Sequence, residues 1–124
     1  MKFLARHDGR AYLLLRLVFG FLFACHGAQK MFGVLGGHRV PAGFTLLFLA
    51  TLIELVAGVL IFLGLFTRPA AFVASGEMAF AYFMQHAKGS FFPIVNHGEL
   101  AVIYCFVALY IATRGAGKFG FDRS

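Results

Sequence analysis

Residues 16–30 read RLVFGFLFACHGAQK, an apolar run with an arginine at its start and a lysine at its end. A histidine, His26, and a glutamine, Gln29, lie among the aromatic and aliphatic side chains of this run. Such a segment is typical of the bilayer interior, where an ionised side chain costs about 2.5–3.5 kcal/mol on insertion scales. We therefore expect its charged groups to face other polar groups inside the protein.

The composition of the whole chain is that of a small integral membrane protein. Of the 124 residues, 60% are hydrophobic and 13% are charged, whereas a water-soluble domain has about 25% charged residues. The formal net charge of +6 does not indicate nucleic-acid binding, because the basic residues lie mainly in the short gaps and at the chain ends. At this length we expect one domain, residues 1–124.

Two smaller features have simple structural explanations. Cys25 and Cys105 match no metal or redox spacing, so we interpret both as apolar side chains of the interior. The basic start of the chain is similar to that of a signal peptide, but Arg16 interrupts the apolar run and the rest of the chain is equally hydrophobic. We expect this first segment to be retained.

Four apolar segments are long enough to cross a membrane as helices, which takes about 17–25 residues. They predict spans at approximately residues 11–35, 43–66, 70–87 and 97–113. Pro69 cannot continue the second helix but suits the first turn of the third. The short connections predict an all-α fold, an integral membrane antiparallel four-helix bundle.

The basic residues predict the orientation of this bundle. The loop after the first span and the loop after the third carry one each, Arg39 and Lys88. By the positive-inside rule, both termini therefore face the cytoplasm, and Arg68 is interpreted as a topology anchor. The basic residues on the cytoplasmic side are Lys2, Arg6, Arg10, Arg68, Arg114, Lys118 and Arg123.

Every predicted span contains an ionisable side chain away from its ends, and such side chains are too costly in lipid to be incidental. In the first span one helical face carries Arg16 and Lys30 together with Gly20 and Gly27, which would let a neighbouring backbone come close. His26 flanks that face. The corresponding residues of the other three spans are Glu54, Glu77 and Glu99.

The helical rise of 1.5 Å per residue predicts which of these groups meet. Arg16 and Glu77 each lie about 8–10 Å from the cytoplasmic end, which predicts a buried ion pair. The other groups lie further out and predict a polar cavity in the outer half of the bundle. Its candidate catalytic or ligand-binding residues are His26, Lys30, Glu54 and Glu99, with His86, Asn96 and His97 at the rim.

The charges of this interior do not balance, because three glutamates face two cations if the histidines are neutral. One extra proton on a glutamate or a histidine would balance them. Burial and neighbouring charges shift the pKa of such groups, so a proton-handling site is one interpretation. The other interpretation is that the ion pairs only hold the helices together.

Four segments, in this order, resemble the DoxX family of small bacterial membrane proteins with four spans. They are RLVFGFLFACHGAQKMFG, IELVAGVLIFLGLFTRPAA, GEMAFAYFMQHAKGSFFP and NHGELAVIYCFVALY. The resemblance extends from Arg16 to the tail. It implies a multi-pass protein of the bacterial cytoplasmic (inner) membrane. It also implies a link to quinone metabolism, as in the subunit of a thiosulfate:quinone oxidoreductase, or to defence against oxidants and thiol stress.

The resemblance and the polar residues together predict a redox-associated membrane protein whose outer-half cavity binds a small compound, with a quinone as the favoured ligand. Lys30 and His26 would hydrogen-bond a carbonyl oxygen, and Glu54 or Glu99 would carry a proton. The chain contains no haem, flavin or iron–sulfur motif, so a membrane or peripheral partner protein, or the substrate, would supply electrons. Whether the chain is itself an enzyme is left open.

Other interpretations are kept beside this one. Haem between His26 and His86 is not favoured, because histidines suit a hydrogen-bonded cluster equally well. A metal at His26, Glu54 and Glu99 is not favoured, because the Glu-x-x-His repeat of bundle carboxylate sites is missing. Two alternatives of other classes are a non-catalytic assembly subunit and a route for proton-coupled permeation of a small solute.

Overall fold

The computed structural model describes residues 1–33, 36, 45–86 and 98–122, and only the backbone of residues 45, 47, 85 and 86. In this part of the chain all regular structure is helical, so the prediction of an all-α chain is confirmed for it. The elements in chain order are α1 (Lys2–Ala5), α2 (Asp8–Phe32), α3 (Thr45–Leu63), α4 (Thr67–Ala81), a π turn (Tyr82–His86) and α5 (Glu99–Arg114).

The four long helices lie at the four apolar segments, with ends that differ from the predicted ones. α2 begins at Asp8 and ends where Gly33 takes the left-handed conformation (φ 69°) that commonly terminates a helix. α4 already begins at Thr67, with Pro69 in its first turn. From Tyr82 onwards the third segment continues as the π turn and not as α-helix.

Glycines bring the backbones of α2 and α3 into contact. A Cβ atom added to Gly58 would lie 2.7 Å from the Cα of Ala24, and one added to Gly27 would lie 2.7 Å from the Cα of Leu55. A Cβ added to Gly20 would likewise meet the backbone of α3. Because no side chain fits at these points, the two helices approach as closely as small-residue contacts in membranes allow. The glycine face predicted for the first helix is therefore confirmed.

The other helices complete a common interior. α3 packs on α4, α4 packs on α5, and α5 touches α2. Between α2 and α5, the rings of Phe19 and Phe23 are stacked, and Tyr104 meets both edge-on at 5.3 and 6.0 Å between ring centroids. Such edge-to-face arrangements are favourable for aromatic rings, so this cluster fixes how α2 and α5 pack.

The outward faces of the four long helices are apolar. Leu14 and Phe21 of α2, Leu49 of α3, Phe72 of α4 and Phe106 of α5 are all exposed. Large continuous apolar surfaces are rare on water-soluble monomers and mark surfaces that contact a membrane or another protein. The exposed faces therefore fit a lipid environment.

Among the described helices, α2 is the one long and apolar enough to cross a membrane by the combined criteria of length and composition. Residues Phe48–Leu63 of α3 form a shorter apolar stretch. The core helix of a water-soluble protein or a signal sequence can meet the same criteria, so the apolar outward faces are the stronger indication.

We expect Gly58→Ala to lower the free energy of unfolding by about 1–3 kcal/mol, because the new methyl group forces two backbones apart. Gly76→Ala is the matched control, since a Cβ there meets nothing within 4 Å. It should be neutral or should stabilise α4 by up to about 1 kcal/mol through helix propensity. Unfolding of the purified variants in detergent measures both effects, and equal stabilities would contradict the close contact.

Candidate functional site

Lys30 and Glu54 form an ion pair between α2 and α3. The Lys30 Nζ lies 2.9 Å from the Glu54 Oε2 and 3.2 Å from its Oε1. The Glu54 side chain is 3% exposed, whereas that of Lys30 is 41% exposed. Gly27 and Gly58 set the register of α2 against α3, and this register places Lys30 beside Glu54. The structure thus brings together two of the residues predicted for the polar cavity.

Glu77 of α4 lies near this pair. Its carboxyl is within electrostatic range of Glu54 and Lys30. Glu54 precedes Gly64 by ten residues and Glu77 follows Thr67 by ten, so both lie about 15 Å from the turn between α3 and α4. The Oε1 of Glu77 is buried and has no hydrogen-bond partner among the described residues. It is therefore free to pair with a ligand.

Glu77 also forms part of the wall of a cavity of about 470 Å³ between α3 and α4. The other lining residues are apolar, and among them Leu49 and Phe80 are about half exposed. The cavity consequently opens sideways, toward the outer surface of the helices. The π turn contributes Met84 to the same wall, in keeping with the frequent occurrence of π geometry at functional sites.

The predicted pair between Arg16 and Glu77 is not formed. Arg16 is 2% exposed, and its guanidinium donates hydrogen bonds to the backbone carbonyls of Ala116 and Phe62. A Cβ added to Gly64 would lie 2.9 Å from the Arg16 Nη1, so Arg16 is level with the turn where α3 ends. α2 thus extends about 12 Å beyond that turn, and equal distances from the helix starts do not give equal depths.

The polar, glycine-rich tail folds back under the helices. The carboxylate of Asp122 accepts hydrogen bonds from the backbone N–H groups of Phe66 (2.8 Å) and Thr67 (2.7 Å), where α4 begins. The backbone N–H of Asp122 donates to the carbonyl of Gly64 at 2.8 Å. The tail therefore supplies the N-terminal cap that the start of α4 lacks locally.

Arg68, interpreted from the sequence as a topology anchor, makes structural hydrogen bonds. Its guanidinium donates to the carbonyls of Ala112, Thr113 and Arg114 at the end of α5. A cation at that position satisfies carbonyls that have no partner within the helix and is favourable for the helix dipole. Arg68 therefore ties the start of α4 to the end of α5.

The remaining predicted residues are not part of the ion pair, and some of them lie outside the described residues. His26 packs edge-on against Tyr104 of α5 at 5.9 Å between ring centroids, whereas the ion pair joins α2 and α3. Glu99 is exposed in the first turn of α5. The side chain of His86 and all of Asn96 and His97 lie outside the part that the structure describes.

The site offers one cation, two carboxylates and an apolar cavity. Within the described ranges, no group of three or more His, Cys, Asp or Glu side chains is arranged to hold a metal ion. What the arrangement can do is accept a hydrogen bond or a proton at Glu77. The positive charge of Lys30, partly exposed to its surroundings, lies close by.

Comparisons with known proteins agree with the resemblance seen in the sequence. Residues 11–87 match the model of the DoxX family. A protein of Haemophilus influenzae, described as an uncharacterized protein, is 43% identical over 122 residues, which cover 91% of this chain and 90% of that protein. No solved structure matches the chain.

The cap formed by Asp122 makes stability depend on pH. Partial burial favours a higher pKa for the Asp122 carboxyl, but the hydrogen bonds from Thr67 and Phe66 and the charge of Arg16 outweigh it, so this pKa lies below its ordinary value. The contribution of Asp122 is therefore full above the unfolded pKa of about 3.9 and is lost as the pH falls through the folded pKa.

We expect Asp122→Ala to lower the free energy of unfolding by about 0.5–2 kcal/mol at neutral pH, as loss of a cap does. Denaturant unfolding at about pH 7 and about pH 3 should show this difference shrinking in acid. Asp8→Ala is the control, because Asp8 is exposed and its pair with Arg114 is 3.5 Å long. It should cost at most about 0.5 kcal/mol. A stability difference for Asp122→Ala that is the same at both pH values would contradict the role of the carboxylate.

Proposed function

Because the chain belongs to the DoxX family of small membrane proteins, we propose that it crosses the bacterial inner membrane four times and binds a quinone or its quinol at Glu77. It acts beside an oxidoreductase, as a subunit or partner that takes part in defence against oxidants or thiol stress. The proposed site keeps Lys30 and Glu54 from the sequence prediction, adds Glu77, and assigns no role to His26 or Glu99.

The membrane arrangement is supported by the surface of the helices. All four long helices expose apolar side chains, so each is suited to contact lipid. The basic residues gather at the end where the tail meets the start of α2 and the α3–α4 turn, which favours a cytoplasmic position for that end. They are Lys2, Arg6, Arg10, Arg68, Arg114 and Lys118.

The observation that carries the binding proposal is the unpartnered Oε1 of Glu77 in the wall of an otherwise apolar cavity. Leaving such a group unsatisfied costs about 1–3 kcal/mol, which a ligand with a matching polar group recovers. Small-molecule sites typically combine apolar walls with few polar groups, and Phe80 can pack on a flat ring. A quinol ring with its hydroxyl groups matches this combination.

The chemistry follows from the two forms of the carboxyl. An ionised Glu77 accepts a hydrogen bond from a quinol hydroxyl, and a protonated Glu77 donates one to a quinone carbonyl. Oxidation of a quinol to a quinone releases two protons and two electrons. In this proposal an ionised Glu77 receives one of these protons, with Lys30 and Glu54 nearby, and the other proton passes with the electrons to the partner protein. The electrons pass to the partner protein, because the sequence contains no redox cofactor motif.

We expect Glu77→Gln to weaken the binding of a short-chain benzoquinol by about tenfold or more, because an amide can neither take up a proton nor form the hydrogen bond to a charged group that is worth about 1.5–3 kcal/mol. Calorimetric titration of the protein in nanodiscs measures the affinity. Glu99→Gln, which changes an exposed carboxylate, is the control and should bind like the wild type. An unchanged affinity in Glu77→Gln would favour the non-catalytic assembly role.

The orientation has a separate test in cells. Green fluorescent protein fused to either terminus should fluoresce, and alkaline phosphatase fused to either terminus should be inactive, since both ends face the cytoplasm. Alkaline phosphatase fused after Gly36, beyond the end of α2, is the control and should be active. Active phosphatase at a terminus would show that the bundle has the opposite orientation or an odd number of spans.

A further inference from the structure

A second cavity continues the Glu77 cavity along the same pair of helices. Its volume is about 450 Å³, and it shares Ile53 and Val73 with the first cavity. All the residues that line it are apolar. Together the two cavities form one groove between α3 and α4, which runs from Leu46 to Leu60 along α3, a length of about 21 Å. Glu77 belongs to the first cavity and lies about midway along this groove, with the wholly apolar second cavity between it and the α3–α4 turn.

The lower part of the groove ends at the turn between α3 and α4. Phe66 and Pro69 form its end wall, and Val56 lines its side. Phe66 has φ 49°, the one positive φ of a non-glycine residue in the described segments. Side chains beyond glycine are disfavoured in this conformation, so the position of the aromatic ring at the groove end carries a backbone cost.

The groove is open on the side of the surrounding lipid. Val56 is 52% exposed and Phe66 is 64% exposed. In a membrane, an open apolar groove is filled by hydrocarbon, while the carboxyl of Glu77 requires a polar partner. A first cavity with one polar group and a second cavity with apolar walls alone fit an amphiphile with one small head and one long chain.

The depth of Glu77 argues against a phospholipid as the occupant that pairs with it. Glu77 lies about 15 Å from the turn, which is about half the thickness of a hydrocarbon core. A phospholipid head group stays at the membrane surface and does not reach this depth. The head must instead be uncharged, able to hydrogen-bond and small enough to lie near the middle of the bilayer.

From this geometry we infer that the ligand of Glu77 is a neutral, chain-bearing amphiphile that enters sideways from the bilayer. Its ring lies at Glu77, and its hydrocarbon chain runs past Val73 toward Phe66 and Pro69, that is, toward the end of the bundle that holds both termini. The inference rests on the proposed function and specifies the class of ligand. Water-soluble quinones without a chain occupy only the upper part of the groove.

The test compares two probes that share one ring, a methoxy-substituted benzoquinol without a side chain and the same benzoquinol with a decyl chain. Val56→Trp fills the lower part of the groove with an indole ring. Val59→Trp is the matched control, because Val59 is 44% exposed on the same helix and lines neither part of the groove. Affinities are measured in nanodiscs and expressed as the ratio of probe to lipid at half saturation. This ratio removes the effect of the different partition of the two probes into the bilayer.

We expect Val56→Trp to weaken binding of the decyl probe at least about tenfold and to change binding of the chainless probe less than about twofold, with Val59→Trp changing neither. If both probes bind Val56→Trp as they bind the wild type, the chain does not use the groove and the inference is overturned. Equal losses for both probes overturn it too, because the substitution then acts on the ring site. If the wild type binds neither probe, the proposed function fails.

Discussion

The backbone contact between α2 and α3 determines where the charged groups of this protein lie. Gly27 and Gly58 leave no room for a Cβ, so the two helices have one register and cannot slide. That register places Lys30 beside Glu54 at one level and the Arg16 guanidinium beside the Gly64 turn at another. Both cations obtain partners from this arrangement, and Glu77 is left as a carboxyl with an unpaired oxygen.

Lys30 and Arg16 of α2 obtain different kinds of partner, and the buried Nε of Arg16 has none among the described residues. Lys30 is paired with a carboxylate, which is the usual solution for a charge in an apolar interior. Arg16 instead donates to backbone carbonyls, and the carboxylate of Asp122 contributes at longer range. A guanidinium suits this arrangement because its several N–H groups point in fixed directions toward separate acceptors. The same carboxylate also caps α4, so one tail residue serves two elements.

Much of this could be predicted from the sequence, and the failures have identifiable causes. The lengths of the apolar segments located the helices, and helical spacing identified the glycine face of α2. The sequence also placed Lys30 and Glu54 in one polar group, and these two residues form an ion pair. It could not identify the acceptors of Arg16, because the carbonyls of Phe62 and Ala116 are present at every residue and carry no sequence signal. The equal depths predicted for Arg16 and Glu77 are wrong, because α2 begins about 12 Å outside the turn at which α4 begins. Glu99, which the sequence predicts to line the interior, stands in the first turn of α5, and its side chain is exposed.

The tail that closes over Arg16 has a consequence for biosynthesis. Arg16 and its acceptor Ala116 are 100 residues apart in the chain. At about 5–20 residues per second, a ribosome that has added Arg16 takes roughly 5–20 s to reach Ala116. The guanidinium of Arg16 therefore lacks its Ala116 acceptor over that interval, even after the carbonyl of Phe62 has been made, and water or head groups must solvate the remaining N–H groups. A segment synthesised long after α2 is the one that closes over Arg16.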